Sequence, residues 1–278
     1  DCLLSRGLGD VYKRQDIQKG PVMRVATYER GRLRFWTDPF EINVSNEFHF
    51  FTPSDSVQDV TLFAKYTLRA DDMFLNRMIG GTFEGSNDPD FREKEVLYLI
   101  NEKPKRLQTV VQSYSSKPYR YVRYVGPKES HCNIAEVAFY TPNDTASLKG
   151  KVIGTPGCFQ KDGSHEYTNV FDGDVTTSFD YIEPSGGWSG IDLGIPKQIE
   201  KIVYTPRSYD NYIRSGDKYE LFYCTGKDKW ESLGKKVSEA DSLVYRDVPV
   251  NVLLLLKNYS KGVQERIFTY ERKGQVWK

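Results

Sequence analysis

The chain is poor in the residues that carry most covalent and metal chemistry. Among 278 residues there are four cysteines and three histidines. Cys2 falls in an anomalous N-terminal stretch. Cys132, Cys158 and Cys224 show neither a Cys-x-x-Cys pair nor a zinc spacing, which argues against a metal framework. Cys158 and Cys224 could form a disulfide or stay as buried free thiols, and the sequence leaves both open. His49, His131 and His165 have no nucleophile motif beside them. A His131–Cys132 couple is disfavoured because adjacent residues on a strand face opposite ways. Carboxylates abound, but a glycosidase needs two that face each other across a cleft, which a sequence does not show. The expectation is a chain that is not an enzyme. No apolar run reaches the ~18–20 residues of a membrane span. The longest, Val248 to Leu256, is interrupted by Pro249 and Asn251 and has the length of a buried strand. With 39 basic and 38 acidic residues, neither nucleic acid nor an anionic membrane is expected as main partner. Helical periodicity is missing as well, apart from a turn near Ser238 to Ser242.

The start also looks unnatural. No secretory signal peptide is visible, and Asp1-Cys2-Leu3-Leu4-Ser5-Arg6-Gly7-Leu8-Gly9-Asp10-Val11-Tyr12-Lys13-Arg14-Gln15 resembles translated sequencing-adapter read-through. Residues 1–15 are set aside as a disordered artefact. A signal peptide or an upstream domain is expected to have preceded Asp16 in the parent chain.

What the sequence does have is rings: 15 Phe, 19 Tyr and 4 Trp. Flat side chains pack well on a pleated sheet. They also suit sugar binding, though packing is the commoner use. Ile199–Tyr204 and Lys218–Tyr223 are short β-branched or aromatic runs bounded by Gly, Pro, Asn and Asp clusters. Tyr119–Tyr124 alternates ring and charge, as in a strand with one wet face. Many short strands at regular spacing predict an all-β sandwich.

The chain also repeats itself. Lys65-Tyr66-Thr67-Leu68-Arg69 matches Val203-Tyr204-Thr205-Pro206-Arg207, with Asp72 and Phe74 then answering Asp210 and Tyr212. Thr82-Phe83-Glu84 matches Lys218-Tyr219-Glu220, and Phe91 answers Trp230. Ala135–Tyr140 answers Gln264–Tyr270, which aligns Glu136 with Glu265. The order is kept while loop lengths drift. A turn-rich stretch at Thr141–Asp144 marks the boundary. The predicted organisation is two antiparallel jelly-roll β-sandwiches in tandem, residues 16–143 and 147–278, each of ordinary domain size.

The second copy carries a family likeness. Asn169-Val170-Phe171-Asp172-Gly173-Asp174-Val175-Thr176-Thr177 leads to Trp188-Ser189-Gly190-Ile191-Asp192-Leu193-Gly194. The Tyr204–Arg207 strand, Tyr219–Tyr223, Trp230 and Glu265–Phe268 follow. This series resembles the discoidin domains (coagulation factor five/eight type C, galactose-binding-domain-like) over roughly Leu148 to Trp277. The first copy resembles them only from about Val60 to Tyr140. Bacterial relatives include carbohydrate-binding modules attached to glycan-degrading enzymes. The resemblance implies a secreted bacterial protein, extracellular, cell-surface or periplasmic, with a glycan as partner.

Two sites follow. Asp172-Gly173-Asp174 is a tight turn whose oxygens converge, and Ca²⁺ takes roughly 6–8 such hard oxygens. Carried over from the family, the ligands would be Asp172, Asp174, Thr177 and Glu265. The alternative is an Asx-turn bonded to its own backbone, without metal. For the glycan, the loops at one end of the sandwich carry Phe179, Asp180, Tyr181 and Ile182, then Arg207, Tyr209, Asp210, Asn211 and Tyr212. Arg207 and Asp210 could bond hydroxyls while Tyr181 or Tyr209 stacks; Asn211 belongs to the same loop. The plainer reading has Arg207 pairing with Asp210 to brace its own loop, as Arg69 and Asp72 would in the first copy. Trp188 and Trp230 read as core rings.

A rival to glycan binding is a structural or interaction spacer that packs on an upstream domain, of transglutaminase-like type by analogy with similar tandem modules. That reading predicts an exposed ring-rich patch near Phe35, Trp36 and Phe40.

Overall fold

Residues 119–124 form a strand in the computed structural model, but its expected wet face is covered. Val122 and Tyr124 are fully buried in the core. On the opposite face, Arg123 lies 3.9 Å below the Phe91 ring and 4.9 Å from that of Trp188. Its guanidinium reaches Glu84 at 2.7 Å. A charge spaced for solvent is thus roofed by rings. Trp188 and Trp230, expected in the core, are half-buried.

The structure describes residues 21–65, 69–226, 229–260, 265–272 and 274–278, with backbone alone at 69–72. The expectation for residues 1–15 and the Arg69–Asp72 pair lie outside what is described. In chain order the strands are β1 (Ala26–Glu29), β2 (Arg32–Trp36), β3 (Phe40–Ile42), β4 (Phe48–Phe50) and β5 (Val57–Leu62). After helix α1 (Arg69–Asn76) come β6 (Thr82–Ser86), β7 (Lys94–Leu99), β8 (Thr109–Gln112), β9 (Pro118–Val125) and β10 (Ile134–Tyr140). Then follow β11 (Lys151–Gly154), β12 (Trp188–Gln198) and β13 (Lys201–Pro206). The last six are β14 (Lys218–Gly226), β15 (Lys229–Val237), β16 (Leu243–Pro249), β17 (Leu254–Asn258), β18 (Ile267–Glu271) and β19 (Gly274–Trp277). The chain is all-β, and the paired strands are antiparallel.

Helix α1 was not anticipated. Ala70, Met73 and Leu75 favour a helix, and Phe74 and Met78, four residues apart and on one side, are both buried. Gly80 and Gly81 follow and end the run. The turn expected at Ser238–Ser242 is no helix; the Ser238 hydroxyl ties back the carbonyls of Ala240 and Ser242. Among the described residues no helix is long and apolar enough to cross a membrane. Cys132, Cys158 and Cys224 are buried free thiols, which settles the open disulfide question.

The chain divides into two units, but not at Thr141–Asp144. One comprises residues up to 66 together with 213–278; the other is 67–212, so the expected boundary falls inside it. In the 67–212 unit a five-stranded sheet, β11-β12-β9-β6-β7, faces a three-stranded one, β10-β13-β8. Phe83, Val122, Tyr124 and Ile191 from the first meet Val137, Phe139, Ile202 and Tyr204 from the second in one core. Burying each such side chain is worth about 1.5–3 kcal/mol. In the other unit the sheet is β15-β14-β17-β18-β19. Its Tyr219, Leu221, Leu256 and Phe268 pack with Val60 and Leu62 of β5 and with Leu243 and Tyr245 of β16.

The two units therefore cut across the two predicted copies. Phe83 and Glu84 sit in one unit, and their counterparts Tyr219 and Glu220 in the other; all four side chains are buried. β13, from the second copy, pairs with β8 of the first, while β5, from the first, pairs with β16 of the second. The matched residues Phe83 and Tyr219, and Glu84 and Glu220, are buried alike. The correspondence fails at the last match: β10 lies in the three-stranded sheet beside β13, whereas β18 lies between β17 and β19.

Candidate functional site

One end of the 67–212 unit is built round a relay of buried polar groups. Arg207 leaves the end of β13, and its Nη1 lies 2.6 Å from the Asp180 carboxylate, with both side chains almost enclosed. Asn133, just before β10, donates from Nδ2 to the same carboxylate at 2.6 Å. Arg77, just past α1, donates from Nη1 to the Asn133 side-chain Oδ1 at 3.0 Å. Phe74 on α1 supplies a ring 4.4 Å from the Arg207 guanidinium, and Tyr209 leans on that ring at 5.6 Å. Asp180 is held in place because Phe179 bonds back to Ile134 through its backbone N–H.

The neighbouring loop is strained. Glu129, His131 and Cys132 all have left-handed φ, at 59°, 53° and 53°. Such conformations cost roughly 1 kcal/mol each and persist only where the surroundings impose them. Here the Ser130 and His131 N–H groups both donate to the Pro184 carbonyl, and His131 Nδ1–H donates to the Tyr181 carbonyl at 2.9 Å. The exposed ring of Phe159 stands edge-on against His131 at 5.3 Å.

Of the residues drawn from the sequence, Tyr181, Arg207 and Tyr209 fall in this region. Arg207 pairs with Asp180 rather than with Asp210, so it is a brace for the loop end, with a different partner from the one expected. Asn211 is only 3% exposed, too enclosed to meet a sugar from outside. Asp210 is half-buried with φ 61°. Tyr209 is 49% exposed and Phe159 57%; these are the rings that solvent reaches. Phe159, Asn133 and Arg77 went unnoticed in the sequence, and His131 was weighed only as a catalytic partner of Cys132. Their roles rest on contacts between distant segments, for which no local motif exists.

The Asp-Gly-Asp turn is formed as expected but closed by a different carboxylate. Asp172 Oδ1 accepts from the Asp174 N–H at 2.7 Å, and its Oδ2 accepts from the Thr177 hydroxyl at 2.8 Å. Gly173, with φ 85°, donates its N–H to Glu136 Oε1 at 2.8 Å. Glu265 belongs to the other unit and is exposed there. Among the described residues there is no cluster of three or more Cys, His, Asp or Glu side chains placed to hold a metal. Two carboxylates, the Asp174 carbonyl and the Thr177 hydroxyl nonetheless make an all-oxygen donor set of the kind a hard cation takes.

Burial, and the Asp172 carboxyl beside it, raise the Glu136 carboxyl from 4.5 to about 8. An acid harder to ionise when folded leaves the native state holding more protons than the unfolded chain between those values. Stability without metal then falls as pH rises from about 5 to 8, by roughly 1–2 kcal/mol once solvent screening at this half-buried site is allowed for. Thermal midpoints measured across that range should show the decline, and Glu136→Gln should flatten it.

No family model matches this chain, and neither the curated proteins nor the solved structures contain a match.

Proposed function

We propose that the chain is a non-catalytic carbohydrate-binding region of a secreted bacterial protein, with the 67–212 unit a jelly roll of the discoidin type. The observation that carries this is the end of that unit. Two solvent-facing rings, Tyr209 and Phe159, stand beside an almost fully bonded Arg207–Asp180–Asn133 platform. Rings present a flat face to the apolar side of a sugar, and a braced platform costs little ordering on binding. The two facing antiparallel sheets support the sandwich reading, and the Asp172 turn is the motif on which the discoidin likeness rests. Ca²⁺ is proposed there as a structural ion held by Asp172, Asp174, Thr177 and Glu136, in place of the Glu265 set. Added Ca²⁺ should raise the melting midpoint at pH 8, and Glu136→Gln should abolish that rise; a midpoint indifferent to chelator would remove the metal.

Because Arg207 is structural, Tyr209 is the better probe of binding. Tyr209→Ala is expected to weaken glycan binding about tenfold, the loss of one stacked ring, with the melting midpoint unchanged. Silence of the wild-type chain on a glycan array would defeat the reading.

The spacer alternative has one observation in its favour. On the β1–β2 hairpin Tyr28, Leu33 and Phe35 are 67%, 43% and 54% exposed, a ring-bearing patch suited to an upstream domain. Phe40, expected in that patch, is buried under Phe48 and Phe50.

A further inference from the structure

The unit formed by residues up to 66 and 213–278 holds a cavity of about 250 Å³ that no sequence motif marks. Its floor is apolar: Phe51, Val252 and Leu254 are each at most 3% exposed. Its walls are polar, and they hold several uncommitted acceptors. Asn251 Nδ2 is committed to the carbonyls of Phe50 and Thr52, both at 3.0 Å, which leaves its Oδ1. Gln58 Nε2 is turned to the Tyr270 carbonyl, which leaves its Oε1. Glu271 accepts one bond, from Thr269 at 3.2 Å. The His49 ring packs edge-on against Phe51, and no described residue is bonded to its nitrogens.

Charge narrows the ligand further. Glu41 on the cavity wall is neutralised by Lys278 at 2.8 Å, so the net negative charge left on the wall is that of Glu271. A ligand here must bring donors, tolerate or complement one carboxylate, and fit a space below the roughly 300–1,000 Å³ of drug-sized sites. Hydroxyls meet the first demand. An ammonium meets the second, and a carboxylate violates it.

We infer that this cavity binds a single pyranose ring that carries no negative charge, and that it holds an amino sugar more tightly than a neutral one. The inference rests on the glycan-binding reading but places a second subsite in the other unit, with its own selectivity. His49, Gln58, Asn251 and Glu271 bond the ring substituents.

The test is a calorimetric or NMR titration of the full chain with glucosamine, glucose and glucuronate, made in the Tyr209→Ala background so that the other candidate site is disabled. Glucosamine should bind roughly fivefold more tightly than glucose, the upper end for one partly exposed ion pair, and glucuronate should not bind. Glu271→Gln, a conservative exposed change, should erase the preference for glucosamine. His49→Ala should weaken both sugars without moving the melting midpoint. Equal binding of glucuronate, or a preference that survives Glu271→Gln, overturns the inference. Sugar binding seen in wild type but absent in the Tyr209→Ala background overturns it too, while leaving the first site standing. Binding that persists in that background with the expected order supports the cavity even if the loop-end site fails.

Discussion

Asp180→Ala is expected to destabilise the 67–212 unit by about 3–4 kcal/mol, the penalty for breaking a buried ion pair from one side. The side chains of Arg207 and Asp180 are 13% and 11% exposed, so the guanidinium left behind has little access to water. The loss is compounded at Asn133, whose Nδ2–H also surrenders its acceptor. The cost measures a stranded charge, not the worth of the pair. Replacing both partners together, Asp180→Leu with Arg207→Met, should therefore recover most of the stability. Denaturant midpoints of the single and double variants decide the matter. A single variant within 1 kcal/mol of wild type would mean the relay braces nothing.

The second large effect concerns the division into units that cut across the predicted copies. A fragment of residues 67–212 should fold alone, since β6 to β13 and the core they enclose all lie within it. A fragment of residues 147–278 should not: it lacks β9, to which β12 is paired, and β5, to which β16 is paired. In the whole chain, Phe83 is fully buried, with its ring 5.4 Å from that of Tyr204. Phe83→Ala should cost about 3–5 kcal/mol. Combined with Tyr204→Ala it should show a coupling of about 0.5–3 kcal/mol, as touching residues do. Two sandwiches closed separately on residues 16–143 and 147–278 would give additive losses and a folded C-terminal fragment.

Much of this was legible in the residues. Strand type was plain, because alternating rings and β-branched residues between turn clusters leave few other options. The matches of Phe83 with Tyr219 and Glu84 with Glu220 were also read from the sequence, and all four side chains are buried. What the sequence did not carry was which half closes on which. Similar strands can complete either partner's sheet, and nothing in Lys65–Arg69 or Val203–Arg207 says where the chain goes next. That single ambiguity misplaced the boundary. It also assigned Glu265 to a turn that Glu136 closes, since the carboxylate was sought in the same copy as Asp172. Arg207 was given Asp210 as partner because Asp210 was near in sequence; Asp180 is near in space. Helix α1 escaped because two turns give too short a run for a period to stand out.

Both long stretches that lead away from the 67–212 unit enter the same neighbour, and they enter it side by side: Ile213 N–H donates to the Phe63 carbonyl at 3.0 Å. Tension applied at residues 21 and 278 should thus reach first the outer unit, which holds both of them. The 67–212 unit is an insertion between two segments that this hydrogen bond clasps together. Stretching the chain should give two rupture events in fixed order, the outer unit always first, whichever of the two is the more stable at equilibrium.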